Sequence, residues 1–341
     1  MTIIIAELTT QIRAAEESPY ININFSIFHN VSWYSKEHEN NKIRLFNGYK
    51  RFLDLTIDLG DQPKRIVALV GPNGSGKSRV LDGILYKSSV VTVIGESGGK
   101  NFEYHSMNLV PNFNQSNLVL ELESGEMFEN YVRTTRISRG YAPSTAVSFR
   151  SPHKINFHFK IDNLQATPDI AINRFGASTT ADVDSKMSEN YKRLNAMVTA
   201  YQDKNDVPPS VAKLHILGEL NQSIKRCLDL EISSVGNILA NQGTLYFTKT
   251  DQSTKFEFNV LSSGEKEVVD LIVDLFLRKE KYQDSIFLFD EPELHINTSI
   301  QGKLLQEIDH LVHPSNQIWI STHSVGFIKA LQDNFADSNK L

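Results

Sequence analysis

Residues 71–78 read GPNGSGKS and carry the spacing G-x-x-x-x-G-K-[ST]. Gly71, Gly74 and Gly76 let the backbone bend tightly enough for its amide N–H groups to close around an anion, with Pro72, Asn73 and Ser75 completing the loop. Lys77 brings a point charge that would bridge the β- and γ-phosphates of a nucleoside triphosphate. The Ser78 hydroxyl would complete the coordination of Mg2+. A glycine turn that merely caps a helix explains neither Lys77 nor Ser78. Farther on, the apolar residues 285–288 run into Phe289, Asp290, Glu291 and Pro292, the ending of a Walker B strand. There Asp290 would hold Mg2+ through water and Glu291 would orient or deprotonate an attacking water, because phosphoryl transfer depends on positioning and charge neutralisation. In isolation this segment is equally an acidic strand-to-loop turn; its place downstream of a phosphate loop selects the chemical reading.

Between the two lies Leu261-Ser262-Ser263-Gly264-Glu265-Lys266. Ser262 and Glu265 form the S-x-x-E pattern of a capping box, ahead of a helix carrying Val268, Val269, Leu271, Ile272, Leu275 and Phe276. A structural cap and a chemical role coexist here, since a serine-capped helix start with free amides and a positive dipole end suits an approaching γ-phosphate.

These groups need a scaffold, and its pattern is strand, glycine loop, helix. Residues 65–70 (RIVALV) form a short apolar run suited to a buried parallel strand, and Val80, Leu81, Ile84 and Leu85 after the loop recur at helical spacing. Residues 43–59 read as extended structure broken at Gly48. Leu118, Leu120 and Leu122 alternate with polar residues before a Ser124-Gly125 turn, which predicts a hairpin whose second strand runs through Tyr131; Ile155, Phe157, Phe159 and Ile161 alternate likewise. Helices are expected over 186–202 and 210–228, separated by Val207-Pro208-Pro209, and a hairpin over 244–248 and 256–260. The expected organisation is an N-terminal extension (1–42), a nucleotide-binding core (43–100 and 241–341) and an inserted β-hairpin and helical subdomain (101–240).

Taken together, LSSGEK, the run Asp290-Glu-Pro-Glu-Leu-His-Ile-Asn297 and Ser321-Thr322-His323-Ser324 resemble the ATPase domain of the overcoming-lysogenization-defect (OLD) family and its AAA-labelled relatives. These are kin of RecF and of structural-maintenance-of-chromosomes ATPases. The resemblance spans residues 43–90 and 244–330, with its motifs in the family's order. It implies an α/β fold of the P-loop NTPase, ABC type, with a mostly parallel core sheet, an antiparallel β subdomain and an inserted helical subdomain. It further implies ATP hydrolysis with Mg2+, in a head-to-tail homodimer or higher oligomer. ATP would be bound by the loop of one subunit and by Ser262 and Gly264 of the other, with Asn297 in the D-loop and His323 as the switch that senses the γ-phosphate. His295-Ile296-Asn297 departs from the family's LHLHP. Read alone, His323 is an ordinary strand-end residue, with Ser324 capping the last helix. Gln115 is the nearest candidate for a Q-loop glutamine, and Tyr49 or Phe52 for an adenine contact. Relatives act in DNA repair or in anti-phage defence, so a nuclease or other effector is the expected partner. No acidic cluster marks a TOPRIM nuclease, which puts the effector on another protein or outside this chain.

Composition narrows the partners. The net charge of -5 excludes a protein that is basic overall and coats DNA or RNA. Residues 131–160 nevertheless contain no Asp or Glu and six cations, Arg133, Arg136, Arg139, Arg150, Lys154 and Lys160. This stretch is either a local nucleic-acid surface or, the favoured reading, arginines on a solvated face or paired with acids elsewhere. The single Cys227 cannot form an internal disulfide, and no apolar run approaches the roughly 18 residues of a membrane span, which points to the cytoplasm. Asp182 with Asp184, and His310 with His313, have metal-compatible spacing but too few partners.

Overall fold

The computed structural model describes residues 3–8, 23–28, 40–49, 52–59, 65–93, 118–122, 126–142, 145–150, 178–179, 183–236, 243–249 and 254–335. The largest sheet has seven strands in the order β2-β1-β5-β13-β12-β7-β8. These are β1 (Ile3–Leu8), β2 (Ile23–Phe28), β5 (Ile66–Val70), β7 (Val147–Arg150), β8 (Ser178–Thr179), β12 (Ile286–Asp290) and β13 (Gln317–Thr322). All neighbours are parallel except β1 and β2. The centre of this sheet reads as unbroken apolar sequence because both faces are covered. Val67, Leu69, Ile286, Leu288 and Trp319 pack on one side with Val80, Leu81 and Ile84 of α1 (Lys77–Val93). Ile66, Ala68, Phe287, Phe289, Ile318 and Ile320 pack on the other side, against helices.

A second, antiparallel sheet joins β4 (Phe52–Asp58), β3 (Asn40–Tyr49) and β6 (Leu118–Leu122) in that order. β6 lacks the expected hairpin partner through Tyr131. Instead the chain turns where Leu122 N–H donates to the Glu126 carbonyl (2.9 Å) and enters α2 (Phe128–Asn130), which continues as a π-helical turn, Tyr131–Arg136. Phe128, Tyr131 and Val132 explain the outcome: three apolar residues at helical spacing are all buried in the core beside α1.

The expected boundaries do not follow sheet membership. β1 and β2 fall within residues 1–42, and β7 and β8 within 101–240, yet all four lie in the main sheet. Pairing Ile3 with Ile66 is a long-range choice that no local pattern announces. The helical expectation does match: α3 (Val183–Asn205) and α4 (Pro209–Cys227) flank the paired prolines, with Pro209 at the first position of α4. The third sheet has the order β11-β10-β9, formed by β9 (Glu231–Ser234), β10 (Tyr246–Thr248) and β11 (Phe256–Glu257). Gln115 and residues 155–161 lie outside the described residues, as do the side chains of Tyr49 and Phe52.

α5 (Ser263–Arg278) is buried along nearly its whole length, in contact with α3, α4 and α6 (Thr298–Leu311). A helix enclosed on all sides must pair its polar residues internally. Arg150, at the end of β7, donates to Glu267 (2.9 Å) and to Asp270; Arg278 Nε donates to Asp274 (2.9 Å), which also receives Asn190 Nδ2 of α3 (3.1 Å). The last helix, α7 (Val325–Phe335), lies against α6.

Candidate functional site

Strand register brings the site together. In the parallel ladders Val70 faces Thr322 and Asp290 faces Ser321, so Gly71, Glu291 and His323, each the next residue along, leave the same edge of the sheet side by side. α1 begins at Lys77, directly after the loop; Arg79 and Val80 N–H donate to the Gly76 carbonyl (2.9 and 3.2 Å), so the amides of Lys77 and Ser78 precede the first helical hydrogen bond, the position at which a helix start can receive an anion. Gly74 (φ 82°) and Gly76 (φ 101°) occupy the left-handed region that the tight loop requires.

Lys77 is buried, and its Nζ donates to the carbonyls of Gly71 (2.8 Å) and Pro72 (3.1 Å). Burial pulls its pKa below the usual lysine value, while Glu291, Asp290 and Glu293 pull the other way. Ser78 Oγ donates to Asp290 Oδ1 (3.0 Å), and Ser321 Oγ donates to the same oxygen. Two hard oxygen groups thus meet where the sequence puts the metal, a donor set suited to Mg2+. Ser75 Oγ is buried with no hydrogen-bond partner among the described residues.

Glu291 is half-buried and has φ 46°, rare for a residue with a side chain and found where surrounding structure enforces it. The enforcement is visible: its N–H donates to both Ser321 O (3.0 Å) and Ser321 Oγ (3.2 Å). Its carboxylate Oε1 lies 2.9 Å from Nδ1 of the exposed His323.

Two contributors were not assigned roles from sequence. Ser321 stands in the quoted STHS segment and fixes both Asp290 and Glu291. Glu293, the last acid of DEPE, is buried, accepts from Thr322 Oγ1, and has no partner for Oε2 among the described residues. Burial raises its pKa above the usual carboxylate value, against the opposing effect of the Thr322 hydrogen bond.

The remaining predicted residues sit on other elements, at the starts of α5 and α6. Ser262 caps α5 in a complete capping box: its Oγ accepts from Glu265 N–H (3.3 Å), and Glu265 Oε2 accepts from Ser262 N–H (2.9 Å). Gly264 sits against the loop after β12, where an added Cβ would stand 2.8 Å from the His295 carbonyl oxygen. Asn297 caps α6, its Oδ1 accepting from Ser299 N–H (3.0 Å). Within the basic stretch, Arg136 and Arg150 are buried, and Arg139 pairs with Asp284. Arg136 donates to the carbonyls of Gln283 (2.9 Å) and Asp284. Arg133 is exposed, and Lys154 and Lys160 lie outside the described residues. Among the described residues no group of three or more His, Cys, Asp or Glu could hold a metal, and no helix is long and apolar enough to cross a membrane.

Among solved structures, the chain is similar to an SMC head bound to the C-winged helix domain of ScpA, with 13% identity, TM-score 0.47, and coverage of 86% of this chain and 92% of that one. It is also similar to the SMC head domain from Thermotoga maritima, with 18% identity, TM-score 0.42, and coverage of 86% and 92%. No curated protein matches. A family model does match, over residues 103–329, a span that holds Asp290, Glu291 and His323 but begins after the phosphate loop. The loop and the family match are therefore separate observations on one chain. By that match, which covers about two thirds of its length, the chain belongs to the family described as "AAA domain, putative AbiEii toxin, Type IV TA system".

Proposed function

We propose that this protein binds ATP with Mg2+, hydrolyses it, and works as a switch by closing into a head-to-tail dimer around the nucleotide. The observation that carries the proposal is the convergence of Lys77, Ser78, Asp290, Glu291 and His323 at one edge of the parallel sheet. The loop amides and Lys77 bind the phosphates, Lys77 exchanging the Gly71 and Pro72 carbonyls for phosphate oxygens. Ser78 and Asp290 would hold the metal, which when bound would supply neutralisation of phosphoryl charge. Glu291 accepts a proton from the attacking water, and His323 holds the Glu291 carboxylate in place and senses the γ-phosphate.

Two features support a composite site. The capped start of α5 leaves Ser262 exposed to solvent, with the positive end of the helix dipole behind it. Val260 is 72% exposed and Val325 80% exposed, each two residues from a motif residue, Ser262 and His323. Apolar side chains flanking both motifs suit a surface covered by a second copy.

The biological setting we propose is the ATPase component of an anti-phage defence system of the OLD type, acting on a nuclease or other effector in the cytoplasm. The family description, which names a putative toxin of a type IV TA system, supports this setting. A RecF-like DNA-binding role is disfavoured, because Arg136 and Arg150 of the basic stretch are spent on interior pairs.

The test is an ATP-binding isotherm and phosphate release for the wild type and Lys77→Ala. Wild-type binding with slow turnover, both lost in Lys77→Ala, is expected. Binding without turnover in the presence of its natural partners would instead indicate a scaffold, and no ATP binding by the wild type would overturn the proposal.

A further inference from the structure

Gln301, on the first turns of α6, is 4% exposed, and sequence reading gave it no role. Its side-chain amide has two partners on different segments. Nε2 donates to the Ile296 carbonyl (3.1 Å) in the loop after β12, and Oε1 accepts from Ser324 Oγ (3.0 Å), the residue after His323. A backbone carbonyl only accepts, so the amide nitrogen must face Ile296 and the oxygen is left for the Ser324 hydroxyl. Ser324 is held further by its N–H, which donates to Thr322 Oγ1 (3.1 Å), and Thr322 Oγ1 donates to Glu293. His323 is therefore clamped through both neighbours, by Glu293 behind it and Gln301 ahead of it.

The space around the amide is reserved for it. A Cβ on Gly326 would stand 2.8 Å from Gln301 Oε1, so only glycine leaves the amide where it is. The loop on the other end of the amide is the one packed against the start of α5, at His295.

We infer that Gln301 is a positioning residue for the hydrolytic site, holding His323 against Glu291 by tying Ser324 to the loop after β12. This rests on the ATPase reading above. Gln301 touches no reacting group; it restricts where the His323 backbone can go. Buried amides with both ends satisfied are stiff, and loss of one end leaves the other group unpaired.

The experiment is a double-mutant cycle on ATP turnover with Gln301→Leu, Ser324→Ala and the pair, plus Gly326→Ala as an independent way to displace the amide. ATP affinity and thermal unfolding are measured on each protein. We expect Gln301→Leu to lower kcat on the order of 10- to 100-fold with ATP affinity within about threefold of wild type. The pair should fall no further than the worse single variant, and Gly326→Ala should share the kcat loss. Wild-type kcat in Gln301→Leu, or losses that multiply in the pair, would overturn the inference. Failure of the underlying ATPase reading is told apart by the wild-type isotherm, which would then show no ATP bound.

Discussion

Oε1 of Glu291 and Nδ1 of His323 stand 2.9 Å apart, one residue beyond the ends of two adjacent parallel strands, β12 and β13. The contact joins the residue we propose as the activator of water to the residue we propose as the γ-phosphate sensor. It exists because Asp290 and Ser321 share a register position and because Ser321 holds the Glu291 backbone in a left-handed conformation.

Removing the imidazole should therefore harm chemistry more than binding. His323→Ala is expected to lower kcat on the order of 10²- to 10³-fold while ATP affinity stays within a few-fold. Phosphate release and calorimetric titration on one preparation check this, and a wild-type kcat would remove His323 from the mechanism.

Glu293 makes a pH prediction. Its carboxyl pKa is raised in the folded protein, by burial first, so between the ordinary glutamate value of about 4.3 and the raised value the folded state carries a proton that the unfolded state has lost. Its contribution to stability is full below the unfolded value and declines as pH rises through that window. Glu293→Gln mimics the protonated form and should flatten the fall of Tm above about pH 4.5. Asp270, also raised by burial, leaves a residual slope of the same sign. Identical slopes for variant and wild type would place Glu293 among ordinary carboxylates.

Arg150 is expected to be structural. Glu267 and Asp270 are both buried around it, so Arg150→Met leaves two acids without their cation and should cost about 3–5 kcal/mol in urea unfolding. Adding Glu267→Gln and Asp270→Asn should restore part of the loss. A single variant as stable as wild type would show that the pairing contributes nothing.

The start of α5 separates stability from activity. Ser262→Ala removes one cap and should cost about 1 kcal/mol while abolishing most turnover. Gly264→Ala forces a Cβ onto the His295 carbonyl and should lower both. Unfolding curves beside turnover rates decide; Ser262→Ala with full activity would leave Ser262 as a cap alone.

Sequence sufficed for local structure where contiguous residues set it. The loop of residues 71–78, the acids Asp290 and Glu291 and the capping box of Ser262 and Glu265 each need contiguous residues and could be read directly. His323 needed the order of the motifs, since a strand-end histidine has no local signature. Gln301 was invisible because its partners are far along the chain and it looks like any polar residue of an amphipathic helix; for Arg150 pairing with distant acids was part of the favoured reading, but which acids was not legible until β7 delivers it to α5. The same long-range pairing hid β1, β2, β7 and β8 from the expected core, whereas α3 and α4 were legible from their periodicity and the prolines between them.

The most direct test of the composite site is light scattering of Glu291→Gln with and without Mg-ATP. Loss of the water-activating carboxylate should leave ATP bound and unhydrolysed, so the variant should pass from monomer to a dimer or larger assembly only when Mg-ATP is present. A Glu291→Gln protein that stays monomeric at saturating Mg-ATP, or that hydrolyses ATP at the wild-type rate, would contradict the account.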